Sequence, residues 1–281
     1  MIVVTGATGH LGRHAVEQLL SKHQQVIAAV RNVEKAQPLA AAGAQVRFAD
    51  YDQPASLEAA FAGADALLLI SSSEIGKRFP QHKAAIDAAK KAGVRHIVYT
   101  SAPRATDSGI KLAKEHAETE RHLIASGVPY TILRNGWYIE NYTGQLANTV
   151  KLGTLYSAAG EGRVSVAPRA DYAAAAVAVL TSSGHEGKTY ELGGESLTLG
   201  ELAAKFSAWA GKPIGYVSLP FADFKGALVG AGLPEAAADI FADADLGLGR
   251  GELLVEGHAL ETLLGRKPTT VDQVLAATPR S

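Results

Sequence analysis

Apolar and polar positions along this 281-residue chain alternate between two periods, and the alternation predicts its elements. Short apolar runs recur at Ile2–Thr5, Gln25–Val30, Ala44–Ala49, Ala66–Ser71, His96–Ser101 and Tyr130–Arg134, each reading as a buried strand. Between them lie stretches of helical spacing near Leu11–Ser21, Glu34–Ala41, Ser56–Phe61, Pro80–Ala92 and Leu112–Ser126. In the first of these, Leu11, Val16, Leu19 and Leu20 gather on one side. Gly43, Gly63, Gly93 and Gly127 precede strands, where a glycine can end the helix before it. Strict strand–helix alternation predicts an α/β fold: a doubly wound parallel sheet with helices on both faces.

The second half is less regular. Tyr172–Leu180 is an alanine-rich helical stretch, and Asp171 just before it is expected to cap it. Lys188–Leu192 reads as a strand, and Thr198–Ala210 as an amphipathic helix entered through Ser196 or Thr198. Phe221–Leu246 is mostly helical, interrupted by Gly230, Gly232 and Pro234, and Gly257–Leu264 and Val271–Ala276 read as short closing helices. No linker rich in proline, serine or charge separates the halves. The expected organisation is a nucleotide-binding unit over 1–150 and a smaller, mostly helical substrate-binding part over 151–281. That second part is expected to pack on the first and partly interleave with it rather than stand as a separate domain.

Bulk properties then narrow the chemistry. Hydrophobic residues make up 47% and charged residues 20%, a composition that suits an ordinary globular protein. A net charge of −1 argues against nucleic acid or an anionic membrane as partner. No window is apolar for long enough to span a bilayer, and the first strand starts at Ile2 with no room for a signal peptide, so a cytoplasmic protein is expected. The absence of cysteine excludes disulfides, thiolate catalysis and cysteine-ligated metals. The histidines show no metal-ligand spacing: His116 and His122 lie six apart, not four. His82, His96 and His185 read as surface or strand-end residues. No serine sits in a G-x-S-x-G elbow.

The first apolar run leads straight into Gly6-Ala7-Thr8-Gly9-His10-Leu11-Gly12 and then into a helix. Strand, glycine-rich turn and helix in that order form the diphosphate-binding corner of a Rossmann-type fold. Glycine permits the tight turn and close backbone approach, and the helix start offers free N–H groups to an anion. All seven residues are therefore expected to hold the diphosphate of a nicotinamide cofactor. The second strand ends in Arg31-Asn32, with no carboxylate before Glu34. A carboxylate there would bind the adenosine ribose 2′-hydroxyl, whereas a guanidinium receives a 2′-phosphate, so Arg31 points to NADP(H). Asp50 ends the third run, where an adenine amino group can be met, while Asp52 is the nearer residue to cap the helix from Pro54. Ser71, Ser73 and Ser101 follow the fourth and fifth strands at the carboxyl edge of the sheet. They are placed to bond ribose or carboxamide groups, or equally their own backbone as loop residues do.

The glycine spacing GxxGxxG resembles that of the atypical short-chain dehydrogenase/reductase superfamily. The stretch Leu112-Ala113-Lys114-Glu115-His116, continued by Ser126-Gly127-Val128-Pro129-Tyr130-Thr131-Ile132-Leu133-Arg134-Asn135-Gly136-Trp137-Tyr138-Ile139-Glu140-Asn141-Tyr142, narrows the resemblance to the NmrA-like branch. Within it the chain is similar to the bacterial NAD(P)H:quinone oxidoreductase 2 group, to which Ile70-Ser71-Ser72-Ser73-Glu74, Ala222-Asp223-Phe224 and Gly232-Leu233-Pro234 add. Triphenylmethane dye reductases are a related family. Typical members of the superfamily use a tyrosine four residues before a lysine as general acid–base. Here Lys114 fits the lysine, but Ile110 stands at the tyrosine position and cannot donate a proton.

The resemblance implies an NADPH-dependent quinone oxidoreductase. It also accounts for the missing acid, because hydride addition to a quinone leaves a resonance-stabilised monoanion that water can protonate. Trp137 and Tyr138 are then expected to wall a flat slot, with Asn135, Asn141 or Tyr138 bonding a quinone oxygen; the competing role for these aromatics is packing between the halves. Lys114 is placed either to touch the nicotinamide ribose or to stand on the helix surface, where Glu115, Glu118, Glu120, Lys111 and Arg121 read as a solvated face. A non-catalytic NADP-sensing regulator of NmrA type, or a reductase of other conjugated acceptors such as the dyes, are the competing functions. A small-molecule quinone is the expected partner, and a monomer or homodimer the expected state.

Overall fold

The computed structural model describes residues 1–279. Six strands fall on the apolar runs: β1 (Ile2–Thr5), β2 (Val26–Val30), β3 (Gln45–Phe48), β4 (Ala66–Leu69), β5 (His96–Ser101) and β6 (Tyr130–Asn135). They form a parallel sheet with β10 (Lys188–Leu192), in the order β10-β6-β5-β4-β1-β2-β3. The direction of winding reverses between β1 and β4, which leaves a crevice beyond their carboxyl ends.

Both faces of this sheet are buried, and the side chains sort by alternation. Val4, Ala28, Leu68, Val98 and Leu133 enter one core with Val16 and Leu19 of α1 (His10–Ser21). Val3, Ile27, Leu67, Ile97 and Ile132 enter the other, with Phe61, Ile86 and Leu123. Those three come from α3 (Pro54–Phe61), α4 (Arg78–Lys91) and α5 (Lys111–Ala125). The short α2 (Gln37–Ala41) closes the edge beside β3. Residues past 150 return to this layer: β10 pairs with β6, and α8 (Arg169–Leu180) packs on α1.

The remaining elements make a second layer over the carboxyl edge. A three-stranded sheet takes β7 (Trp137–Tyr138), β9 (Arg163–Ala167) and β11 (Glu195–Thr198), and a two-stranded one takes β8 (Thr154–Ser157) and β12 (Gly215–Ser218). None of these five was expected, because each is short and glycines interrupt the pattern at Gly153, Gly160 and Gly162. Around them lie α6 (Glu140–Thr143), α7 (Leu146–Leu152), α9 (Leu199–Ala210), α10 (Phe221–Gly230), α11 (Glu235–Gly249) and α13 (Val271–Ala277), whereas α12 (Ala259–Leu264) packs on α8 and β10 and puts Leu260 into the first core. A third apolar core, with Val164, Val166, Leu202, Phe206 and Leu248, also takes Ile110 and Ala113 from the start of α5. No helix among the described residues is long and apolar enough to cross a membrane.

Two capping expectations are corrected. Thr198 does cap α9, in a reciprocal capping box with Glu201 at 3.1 and 2.8 Å. Asp171, however, lies inside the first turn of α8 and caps nothing. Its buried carboxylate accepts from the Thr269 backbone N–H at 2.6 Å and pairs with Arg266 at 2.6 Å, fastening the C-terminal segment to the nucleotide layer. Likewise Asp50, not Asp52, shapes the turn before α3: it accepts from the Asp52 N–H at 3.0 Å and the Gln53 amide at 3.2 Å.

Removing the Asp171 carboxylate strands a buried N–H. Asp171→Ala should therefore cost about 1.5–3 kcal/mol in urea unfolding. Arg266→Ala should cost less, since that guanidinium is half exposed.

Candidate active site

The glycine turn forms the floor of the crevice. Gly6 is left-handed (φ 57°), and the Gly9 N–H donates to the Gly6 carbonyl at 2.9 Å. Gly12 presses so closely on this loop that a Cβ would overlap the Gly6 carbonyl oxygen. Gly9 caps α1 without a side chain, so the N–H groups of His10, Leu11 and Gly12 have no protein acceptor among the described residues. Three free donors at a positive helix end fit a diphosphate. Ala7 and Leu11 are buried beneath the turn, Thr8 is half-buried, and the His10 ring is exposed, leaving its backbone as the useful group.

Arg31 and the loop after β4 face each other across the crevice. Arg31 Nη1 pairs with Glu74 Oε1 at 2.6 Å, and the guanidinium is 62% exposed. An exposed pair of this kind is worth about 1 kcal/mol or less, so an incoming phosphate can replace Glu74 at small cost. The Ser71 N–H donates to Thr100 Oγ1 at 2.9 Å, while Ser73 is exposed. Ser101 donates its hydroxyl to Glu120 at 2.5 Å; its oxygen still lines the cavity described below and can accept there.

What holds this loop comes from α4 and α5, and composition concealed it. His82 is fully buried, not a surface residue. Its Nε2 accepts from the Ser72 N–H at 2.9 Å, which places the ring proton on Nδ1 toward Thr119 Oγ1 at 3.0 Å. Gln81 meets the Ser72 hydroxyl at 2.5 Å, and buried Arg78 donates from Nε to the Ser72 carbonyl at 2.7 Å. Arg78 Nη1 is buried without a hydrogen-bond partner, 3.6 Å from Glu115. Tyr99 and His116 pair at 2.7 Å behind it.

The solvated face expected on α5 is therefore only partly so. Lys114 and Glu118 are exposed. Glu115 instead accepts from the Gly76 and Arg78 N–H groups, and Glu120 is buried between Ser101 and Arg134, at 2.6 Å from Arg134 Nη2. Arg78, Gln81 and His82 recur at helical spacing in an otherwise alanine-rich helix, which is the one signal that could have exposed them.

Beyond β4, β5 and β6 a largely apolar cavity of about 390 Å³ opens. Ser71–Ser73 and Arg78 line its cofactor side, and Ile110, Trp137, Tyr138 and Phe241 its far side. Gly136 makes the turn into β7: a Cβ would lie 2.8–2.9 Å from the Leu192 and Ser165 carbonyls and the Tyr172 hydroxyl. Asn135 is buried with its Oδ1 unpartnered and its Nδ2 3.4 Å from the Tyr138 hydroxyl. Arg169 stacks 4.5 Å above the Tyr138 ring and donates to Asn141 Oδ1 at 3.0 Å. Burial raises the Tyr138 pKa, so its phenol stays protonated. Ile110 lines the cavity and packs so tightly on Gly247 that a Cβ there would overlap it.

An NAD(P)H-binding family model matches residues 6–183. The chain belongs to that NmrA-like, NAD(P)H-binding family. It is 49% identical over 274 residues to quinone oxidoreductase 2 of Escherichia coli, with 96% of each chain covered. The crystal structure of the NADPH complex of that NADPH-dependent enzyme superposes with a TM-score of 0.95 over 99% of each chain, at 48% identity. The triphenylmethane reductase of Citrobacter sp., solved with NADP(H), superposes at 0.93 over 99% of each chain, with 39% identity.

The buried histidines make a stability prediction. Burial, then the charge of Arg78, pushes His82 down to about 3, and His116 well below its ordinary value. The folded pKa is depressed, so the unfolded chain binds the proton first. Stability is thus complete above about pH 6.5 and falls as pH drops toward 3. By pH 5 His82 alone should cost about 2 kcal/mol. Unfolding midpoints at pH 7 and pH 5 should differ, and His82→Gln should flatten that difference by close to one proton.

Proposed function

We propose that the chain is an NADPH-dependent quinone reductase in which hydride passes directly to the acceptor with no side-chain general acid. The observation that carries this reading is the apolar cavity beyond β4, β5 and β6, with Ile110 packed where an acid would stand. The 49% identity to quinone oxidoreductase 2 supports it.

Bound NADPH supplies the hydride. The glycine turn and the start of α1 hold the diphosphate, and Arg31 receives the 2′-phosphate in exchange for Glu74. Ser71, Ser73 and Ser101 lie on the ribose and carboxamide side, and Asp50 on the adenine side. The pinned Ser71–Glu74 loop fixes the nicotinamide end, so orientation is prepaid before the acceptor arrives.

Trp137 and Tyr138 wall a slot that excludes water from the hydride path. The Tyr138 phenol and the Asn135 and Asn141 amides present hydrogen-bonding groups to a quinone oxygen. The nearby guanidiniums of Arg78 and Arg169 favour negative charge developing on that oxygen. The resulting hydroquinone monoanion takes its proton from water. The acceptor is a small molecule, not a polyanion, and the protein works as a monomer or homodimer in the cytoplasm.

Steady-state oxidation of NADPH by small quinones tests this. Turnover with wild-type protein is expected, with NADPH used better than NADH. Arg31→Ala should weaken NADPH binding about ten-fold or more while changing NADH little. Equal losses for both cofactors would refute the Arg31 role. Tight NADPH binding with no oxidation by any quinone or dye would establish the regulator instead.

A further inference from the structure

A second cavity, of about 310 Å³, adjoins the first and is used by nothing in the reaction above. Trp137, Asn141 and Phe241 line both, so the two compartments share one wall. The second is built from α7, β8, α10 and α11, and aromatic rings surround it: Trp137, Tyr142, Tyr156, Phe224 and Phe241. Tyr156 and Phe241 stand at its rim, 41% and 43% exposed.

Two polar groups in this apolar setting lack partners. The Tyr142 hydroxyl is buried and makes no hydrogen bond among the described residues. Asp245 uses only one oxygen: Oδ2 accepts from the Ser157 hydroxyl at 2.5 Å and the Ala158 N–H at 3.0 Å. Oδ1 has no protein donor, and no lysine, arginine or histidine lines the cavity. Burial raises the Asp245 pKa, so the cavity withholds solvation from a carboxylate without supplying a countercharge. A single carboxylate inside a ring of aromatic faces is the donor set that recognises an organic ammonium ion.

We propose that this cavity binds a small ammonium group carried on an arm of the acceptor, with Asp245 as countercharge and the aromatic rings as cage. The link to the acceptor rests on the quinone-reductase reading; the ammonium site itself does not. With the conjugated ring in the first cavity, an arm passing Trp137 reaches the second. Asp245 and Tyr142 would then determine which substituted acceptors are preferred.

Calorimetric titration of benzyltrimethylammonium into the full chain tests the site directly. Saturable binding is expected, with a dissociation constant of about 1 mM or tighter. Asp245→Asn keeps the shape and the Ser157 bond and should weaken it about ten-fold; Ala227→Phe, which fills the cavity, should abolish it. Absence of saturable binding, or equal affinity in wild type and both variants, would overturn the proposal.

A second measurement joins site and reaction. A quinone bearing a trimethylammonium-alkyl arm should exceed its uncharged tert-butyl isostere in kcat/KM about ten-fold in wild type, and that ratio should fall toward one in Asp245→Asn. A ratio of one in wild type would overturn the link to the acceptor. If no quinone is reduced yet the ammonium ion binds, the reductase reading fails and the site stands.

Discussion

The backbone must approach itself closely where β1 turns into α1, and most of the site follows from that constraint. Gly12 lies so close to the Gly6 carbonyl that any side chain would collide with it. Because it is glycine, α1 can begin immediately beside the end of β1 and aim its unpaired N–H groups into the crevice. The reversal of sheet order between β1 and β4 opens that crevice, and the parallel arrangement gathers every following loop at the same edge. Buried sheet faces then make this edge the available place for a ligand.

Rigidity at that edge is bought with buried polar groups. Ser72 is held through its N–H, carbonyl and hydroxyl by His82, Arg78 and Gln81, all from α4. Such groups are costly in an apolar setting unless each finds a partner, and nearly all of them do. Two exceptions, Arg78 Nη1 and Asn135 Oδ1, belong to residues that line the cavity. The same helix that covers one sheet face therefore also pins the loop after β4 and brings the Arg78 guanidinium to the cavity.

The two layers divide the work. The parallel sheet carries the glycine turn, and the second layer, with its short sheets, closes the far side of the cavity. The chain passes between them at Gly136, where three polar atoms crowd the position a Cβ would take. Ile110, an alkyl side chain with no proton to give, is held at the cavity wall by its packing on Gly247 and the second layer.

Much of this was legible in the sequence, and for identifiable reasons. The six leading strands showed because a parallel strand buried on both faces must be continuously apolar. Lys188–Leu192 showed as a strand too, although only the fold revealed its place beside β6. The glycine turn was legible because its residues are local and their backbone geometry needs glycine. Contacts between distant segments were not. Asp171 next to an alanine-rich run looks like a cap until Thr269 and Arg266 come round to it. Glu120 looks solvated until Arg134 and Ser101 enclose it, and His82 looks exposed until Ser72 folds over it. The sequence by itself determined the parallel sheet with its flanking helices and the glycine turn, since both rest on local periodicity and backbone freedom. The tertiary structure decided which polar residues are buried and which cavities they face, because burial depends on partners many residues away.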